Sequence, residues 1–166
     1  MDDFKLTEHF SFFELTATVN PTVQKENRNL NDVQMEKLAK VADLLESVRL
    51  IVNLPISVHS GYRCKKLNDM IGSTDKSQHL LCEAADFSVT GMPNTEAFAK
   101  IQQAALNGRL RFGQLIHERA KRSYGVADWL HISLGSPYRE KSGQVLTMRN
   151  GLYELVRTIP VKDAVA

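Results

Sequence analysis

The stretch Ser77-Gln78-His79-Leu80-Leu81-Cys82-Glu83-Ala84-Ala85-Asp86-Phe87-Ser88-Val89 carries a histidine out of a polar loop and an aspartate into an apolar run. Residues 84–89 read as a β-strand, which places Asp86 among Ala84, Ala85 and Phe87. A carboxylate taken out of water needs a partner, and a metal ion or a salt bridge would each serve. His79, seven residues earlier, converges on Asp86 only if the chain between them doubles back.

Outward from this strand, helices dominate one side of the sequence and strands the other. Asn31 or Asp32 caps a helix in which Leu38, Val41, Leu45 and Val48 share one face, and which ends before Pro55. Residues 56–60 form a short β-type run turned by Gly61, and residues 64–71 a short helix stopped by Gly72. Residues 73–77 are a polar loop. Asn94 or Thr95 caps a second helix, with Phe98, Ile101 and Leu106 facing inward. Residues 112–116 and 129–134 are strand candidates separated by a polar, basic loop. Residues 144–148 and 152–156 flank Asn150-Gly151, a hairpin signal because both positions tolerate positive φ. At the N-terminus, Phe10, Phe12, Phe13 and Leu15 read as an ordered strap across the core. Helices early and strands late predict a single α+β domain over residues 1–157, with an antiparallel sheet and a tail at 158–166.

Bulk properties narrow the class. The 166 residues suit one domain, and 43% hydrophobic with 24% charged residues is ordinary for a globular protein. No run approaches the roughly 20 apolar residues that span a bilayer, so no membrane partner is expected. The acidic start Met1-Asp2-Asp3-Phe4-Lys5 has no apolar segment of the secretory kind, which predicts synthesis into the cytoplasm. A net charge of +2 and the short run Arg119, Lys121, Arg122, without an aromatic ladder, argue against nucleic acid. Cys64 and Cys82 lack CxxC spacing and read as reduced, buried small residues.

A second reactive segment, Asp128-Trp129-Leu130-His131, supplies another strand histidine. Two imidazoles and one carboxylate are the set a catalytic zinc uses while keeping a fourth position for water. Asp128 is then a candidate general base for that water. Spacing alone makes this a modest case, because five histidines allow chance pairings and hydrogen-bonded core histidines are commoner than ligands. Asp128 could instead cap a turn, and Arg63 could pair with a surface carboxylate. Glu118 could orient a ligand imidazole or end a solvated strand. His59 and His117 match no ligand position, and Trp129 and Tyr62 suit pocket wall or core.

Taken together, Ser60-Gly61-Tyr62-Arg63, then Ser77-x-His79 through Ala84 and Asp86, then Asp128-x-x-His131 resemble the zinc D-Ala-D-Ala carboxypeptidase and L-alanyl-D-glutamate endopeptidase family, which includes phage endolysins. Leu6-Thr7-Glu8-His9-Phe10-Ser11, Leu67-Asn68 and Gln144-Val145-Leu146-Thr147 extend the likeness over nearly the whole chain. The resemblance implies the hedgehog/D-Ala-D-Ala peptidase-like fold, with zinc on His79, Asp86 and His131. It implies Asp128 as catalytic base, Arg63 on the scissile carbonyl and its oxyanion, and Ser77 on substrate or backbone. Cys82 departs from the family, which commonly has glycine there; either the backbone differs or positive φ is not needed. The expected substrate is a peptidoglycan stem peptide, cut by a monomer. L-alanyl-D-glutamate endopeptidase is the favoured activity and D-Ala-D-Ala carboxypeptidase the alternative. A phage endolysin released from the cytoplasm by a holin fits best. Rivals from other classes are a non-catalytic zinc-binding or virion structural module and a metal-free peptide-binding domain.

Overall fold

The computed structural model describes residues 2–122, 125–135 and 143–160. Helices α1 (Phe12–Leu15), α2 (Gln24–Asn27) and α3 (Asp32–Val52) precede strand β1 (Ile56–Ser60). Helix α4 (Lys65–Met70), strand β2 (Ala84–Val89) and helix α5 (Asn94–Leu106) follow. Strands β3 (Gln114–Arg122), β4 (Gly125–Ser133), β5 (Gln144–Arg149) and β6 (Leu152–Thr158) complete a six-stranded sheet of order β1-β2-β4-β3-β5-β6. The α+β class, with helices early and strands late, agrees with the sequence. None of the described helices is long and apolar enough to cross a membrane.

Local chemistry explains the main boundaries. Asn31 caps α3 reciprocally with Gln34: its Oδ1 accepts from Gln34 N at 2.9 Å, while Gln34 Oε1 accepts from Asn31 N at 3.0 Å. The helix stops where Asn53 turns left-handed at φ 55°. Asn150 and Gly151 take φ 52° and 84°, the two-residue turn expected between β5 and β6. Helix α5 departs from expectation. Pro93 occupies its N-cap, because the Asn94 side chain donates to the backbone and carboxylate of Asp128 instead of capping its own helix. Leu106, expected inside, is 45% exposed in the last turn.

The sheet is mixed, which corrects the wholly antiparallel expectation. Gln144 N donates to Gly113 O, so β5 starts where β3 starts and runs parallel to it, from Gln144 beside Gln114 to Arg149 beside Arg119. The basic loop expected after residue 116 is instead the outer half of the long β3–β4 hairpin, whose residues 123–124 lie outside the described residues. Thr158 still belongs to β6 and Ile159 is buried, so the packed unit passes residue 157; residues 161–166 of the expected tail lie outside the described residues.

Alternation along the strands gives the sheet two unlike faces. Phe87, Leu115, Leu130 and Ile132 point into a core with Leu38, Leu45 and Val48 of α3 and Ile101 of α5. Phe10 and Phe12 of the N-terminal strap are at most 1% exposed, each worth about 1.5–3 kcal/mol of burial. Asp86 and His131, one residue out of phase with Phe87 and Leu130, therefore face the other way.

Cys82 resolves the departure at the family glycine. It sits at φ 56°, the left-handed region, with its side chain fully buried. Burial pushes its thiol up to about 12, so it stays a protonated, inert packing group. Left-handed backbone costs a non-glycine residue about 1–2 kcal/mol, which the buried side chain roughly offsets. Cys82→Gly should thus unfold within about 1 kcal/mol of the parent in a urea titration. Cys82→Val, whose branched Cβ tolerates positive φ poorly, should lose more than about 2 kcal/mol.

Candidate metal centre

The outward face of β2 and β4 brings three of the expected residues together. Asp86 and His131 are directly paired across the two strands, and His79 arrives from the turn before β2. That turn does double back: His79 O accepts from Cys82 N, and Gln78 O from Glu83 N. His79, Asp86 and His131 are all buried, and their ligand atoms lie within 4.8 Å of one another.

The separations are 3.3 Å from His79 Nε2 to His131 Nδ1, 3.2 Å from His79 Nε2 to Asp86 Oδ1, and 2.9 Å from His131 Nδ1 to Asp86 Oδ1. Tetrahedral zinc with bonds of about 2.0–2.1 Å sets neighbouring ligand atoms roughly 3.3 Å apart. The triangle therefore fits a zinc ion with one face left for substrate and water.

Each ligand is held by a further partner. His79 Nδ1 donates to Gly61 O at 2.7 Å, which leaves the Nε2 lone pair for the metal. His131 Nε2 donates to Gln78 Oε1 at 3.0 Å, and Gln78 Nε2 in turn donates to Ser133 Oγ at 2.9 Å. Asp86 Oδ2 accepts from Arg63 Nη2 at 2.5 Å, and Arg63 Nε donates to Ser60 Oγ at 2.8 Å. Burial by itself would raise the Asp86 carboxyl, but the charge and hydrogen bonds of both imidazoles hold it well below the usual carboxylate range. It is ionised, as a ligand must be.

Gln78 and the Gly61 carbonyl were not singled out from the sequence. The available signal was that a ligating imidazole needs a partner for its second nitrogen, and Gln78 adjoins His79 within the motif. Gln78→Ala should weaken zinc binding by roughly 10–100-fold, measured by competition with a chromogenic chelator, with little loss of fold.

Around the metal triangle lies a cleft of about 1390 Å³, lined by Arg63, residues of the 73–78 loop including Ser77, Ile116 and Glu118 of β3, Trp129, and Tyr153 of β6. Arg63 and Ser77 are thus on the wall of this cleft. Asp128 is not. With no irregularity in β4 between it and His131, alternation turns its side chain to the α5 face. There Asp128 Oδ1 accepts from His117 Nε2 at 2.9 Å and Asn94 Nδ2 at 3.0 Å, and Oδ2 meets Arg119 Nε at 3.2 Å. A three-residue step on a regular strand cannot bring two side chains to one face. His117, bonded to Asp128, and His59, bonded to Ser88, stand apart from the metal ligands.

Glu118 belongs to the cleft. It stands opposite Trp129 and two residues along β3 from Ile116, the partner of His131. Burial pushes its carboxyl up to about 7; the negative charge of Asp86 adds to the rise, while His131 and Arg63 oppose it.

Comparison with known proteins agrees with this geometry. The family model of peptidase M15 matches residues 8–120, more than half of the chain. No curated protein matches the chain. The matched stretch holds Arg63, Ser77, His79 and Asp86 and stops before His131, which the β2–β4 pairing delivers to the cluster. M15 peptidases depend on zinc, and the donor set present here suits that ion. The chain belongs to the peptidase M15 family.

Proposed function

We propose that the protein cuts peptidoglycan stem peptides as an L-alanyl-D-glutamate endopeptidase, with His79, Asp86 and His131 holding its zinc. The observation that carries this reading is the ligand triangle in the wall of a cleft that also holds Arg63 and Ser77. The described residues that line the cleft run from the 73–78 loop to Ile116 and Glu118 of β3 and Tyr153 of β6. The preference for the L-alanyl-D-glutamate bond over a terminal D-alanine rests on the Asp128-x-x-His131 form of the motif. Zinc would supply Lewis acidity at the scissile carbonyl. Arg63 holds Asp86 in place through Nη2, and its fixed positive charge beside the ligands favours the developing oxyanion. Ser77, at the cleft wall, offers a hydroxyl to the peptide backbone.

Digestion of purified peptidoglycan followed by mass spectrometry of the muropeptides tests the reading. New amino termini on D-glutamate, lost with EDTA and restored by zinc, are expected. Release of D-alanine alone would make the protein a carboxypeptidase. Zinc binding with no product would leave the non-catalytic module. Deployment as a phage endolysin is a further part of the proposal, supported by the likeness of the motifs to that group. Expression in a bacterial cytoplasm should then lyse cells only when a holin is co-expressed.

A further inference from the structure

We propose that Glu118, and not Asp128, is the general base of this site, taking a proton from the attacking water and passing it to the leaving amine. The inference rests on the hydrolase reading above. Three observations carry it. First, Glu118 shares the outward face of β3 with Ile116, and Ile116 is paired with His131. A diagonal neighbour across a strand pair lies about 7–8 Å away between backbones, a gap that a glutamate side chain and one water can bridge. Second, Glu118 lines the same cleft as Arg63, His79, Asp86 and His131. Third, Glu118 is half-buried yet has no hydrogen-bond or ion-pair partner among the described residues, whereas both Asp128 oxygens are occupied on the far side of the sheet. A partly desolvated carboxylate without a partner is costly to keep, and it is the state a proton acceptor requires.

The step balances within the site. Water gives one proton to a Glu118 carboxylate oxygen as its oxygen bonds to the carbonyl carbon. When the C–N bond breaks, Glu118 returns that proton to the departing nitrogen, leaving a carboxylic acid and an amine.

Glu118→Gln keeps the side chain's size and removes the base. In the zinc-loaded protein it should lower kcat on peptidoglycan by roughly 100- to 10,000-fold. KM and zinc affinity should stay within about threefold, because Glu118 is not a metal ligand. A second measurement does not depend on the substrate. Acetohydroxamic acid binds zinc as its anion, and its proton must go to the protein or to the buffer. Calorimetry at pH 8 in two buffers of different ionisation enthalpy should show Glu118→Gln releasing about one proton more than the parent protein. Equal proton release by the two proteins overturns the assignment, whether or not peptidoglycan is the substrate. So does an unchanged kcat, or a folded, zinc-loaded Asp128→Asn that loses as much kcat as Glu118→Gln. A parent protein inactive on peptidoglycan would instead count against the functional reading, and the proton count would still decide the role of Glu118.

Discussion

Replacing His131 with alanine should abolish stoichiometric zinc binding and bring peptidase activity down to the level of the EDTA-treated protein. His131 is the most informative ligand to remove, because it lies beyond the stretch matched by the family and joins the site through strand pairing alone. Its loss leaves one imidazole and one carboxylate, with Asp86 still held by Arg63. Loss of a partner outside the coordination shell costs roughly 10–100-fold in affinity, so loss of a ligand itself should exceed about 100-fold. A thermal measurement makes this visible. Zinc at 100 times its Kd stabilises a protein by about 2.7 kcal/mol. For a domain of this size each kcal/mol is worth roughly 2–4 °C, so zinc should raise the parent Tm by about 5–11 °C and the His131→Ala Tm hardly at all.

Gly61→Ala should damage both the fold and the metal centre. A Cβ on Gly61 would lie 2.3 Å from Leu15 O, a backbone atom that accepts a hydrogen bond from Tyr62 N at 2.9 Å. The chain cannot yield there cheaply. The backbone on both sides of this contact is also fixed, since the fully buried Asn27 donates to Thr16 O and Tyr62 O and accepts from Cys64 N. Relieving the clash means breaking the Leu15–Tyr62 bond or moving the Gly61 carbonyl away from His79 Nδ1. Overpacking and a lost hydrogen bond together cost about 2–4 kcal/mol. The expected Tm is roughly 5–15 °C lower, and zinc should bind more weakly than in the parent. Gly108→Ala is the contrast: that residue has positive φ but open space around it, so only the conformational cost of about 1–2 kcal/mol should appear.

The candidate metal ligands were legible first through the motif resemblance, since spacing alone made a modest case, and second because part of their chemistry is local. An aspartate among alanines and a phenylalanine, and a histidine between leucine and isoleucine, are both anomalies that single-strand reading detects. Fold class was legible for the same reason: the period of α3, its capping residue and the Asn150-Gly151 turn are short-range signals. What failed was non-local. The direction of β5 is set by where the chain returns after β4, and nothing within residues 144–149 encodes that. Asp128 was named for its spacing from His131, yet the face it occupies depends on β4 running without a bulge through both residues. Glu118 had the opposite difficulty. Its strand was expected to end near residue 116, which left a place beside a ligand imidazole and a solvated strand end equally open until β3 was seen to run on to Arg122.

Zinc K-edge X-ray absorption on the zinc-loaded protein tests the central geometry most directly, run beside His131→Ala at the same metal ratio. One zinc per chain is predicted, with two imidazole nitrogens and oxygen at about 2.0–2.2 Å, and with an imidazole contribution that falls in the variant. Sulfur scattering at about 2.3 Å, which would place Cys64 or Cys82 on the metal, or a spectrum unchanged by His131→Ala, would contradict it.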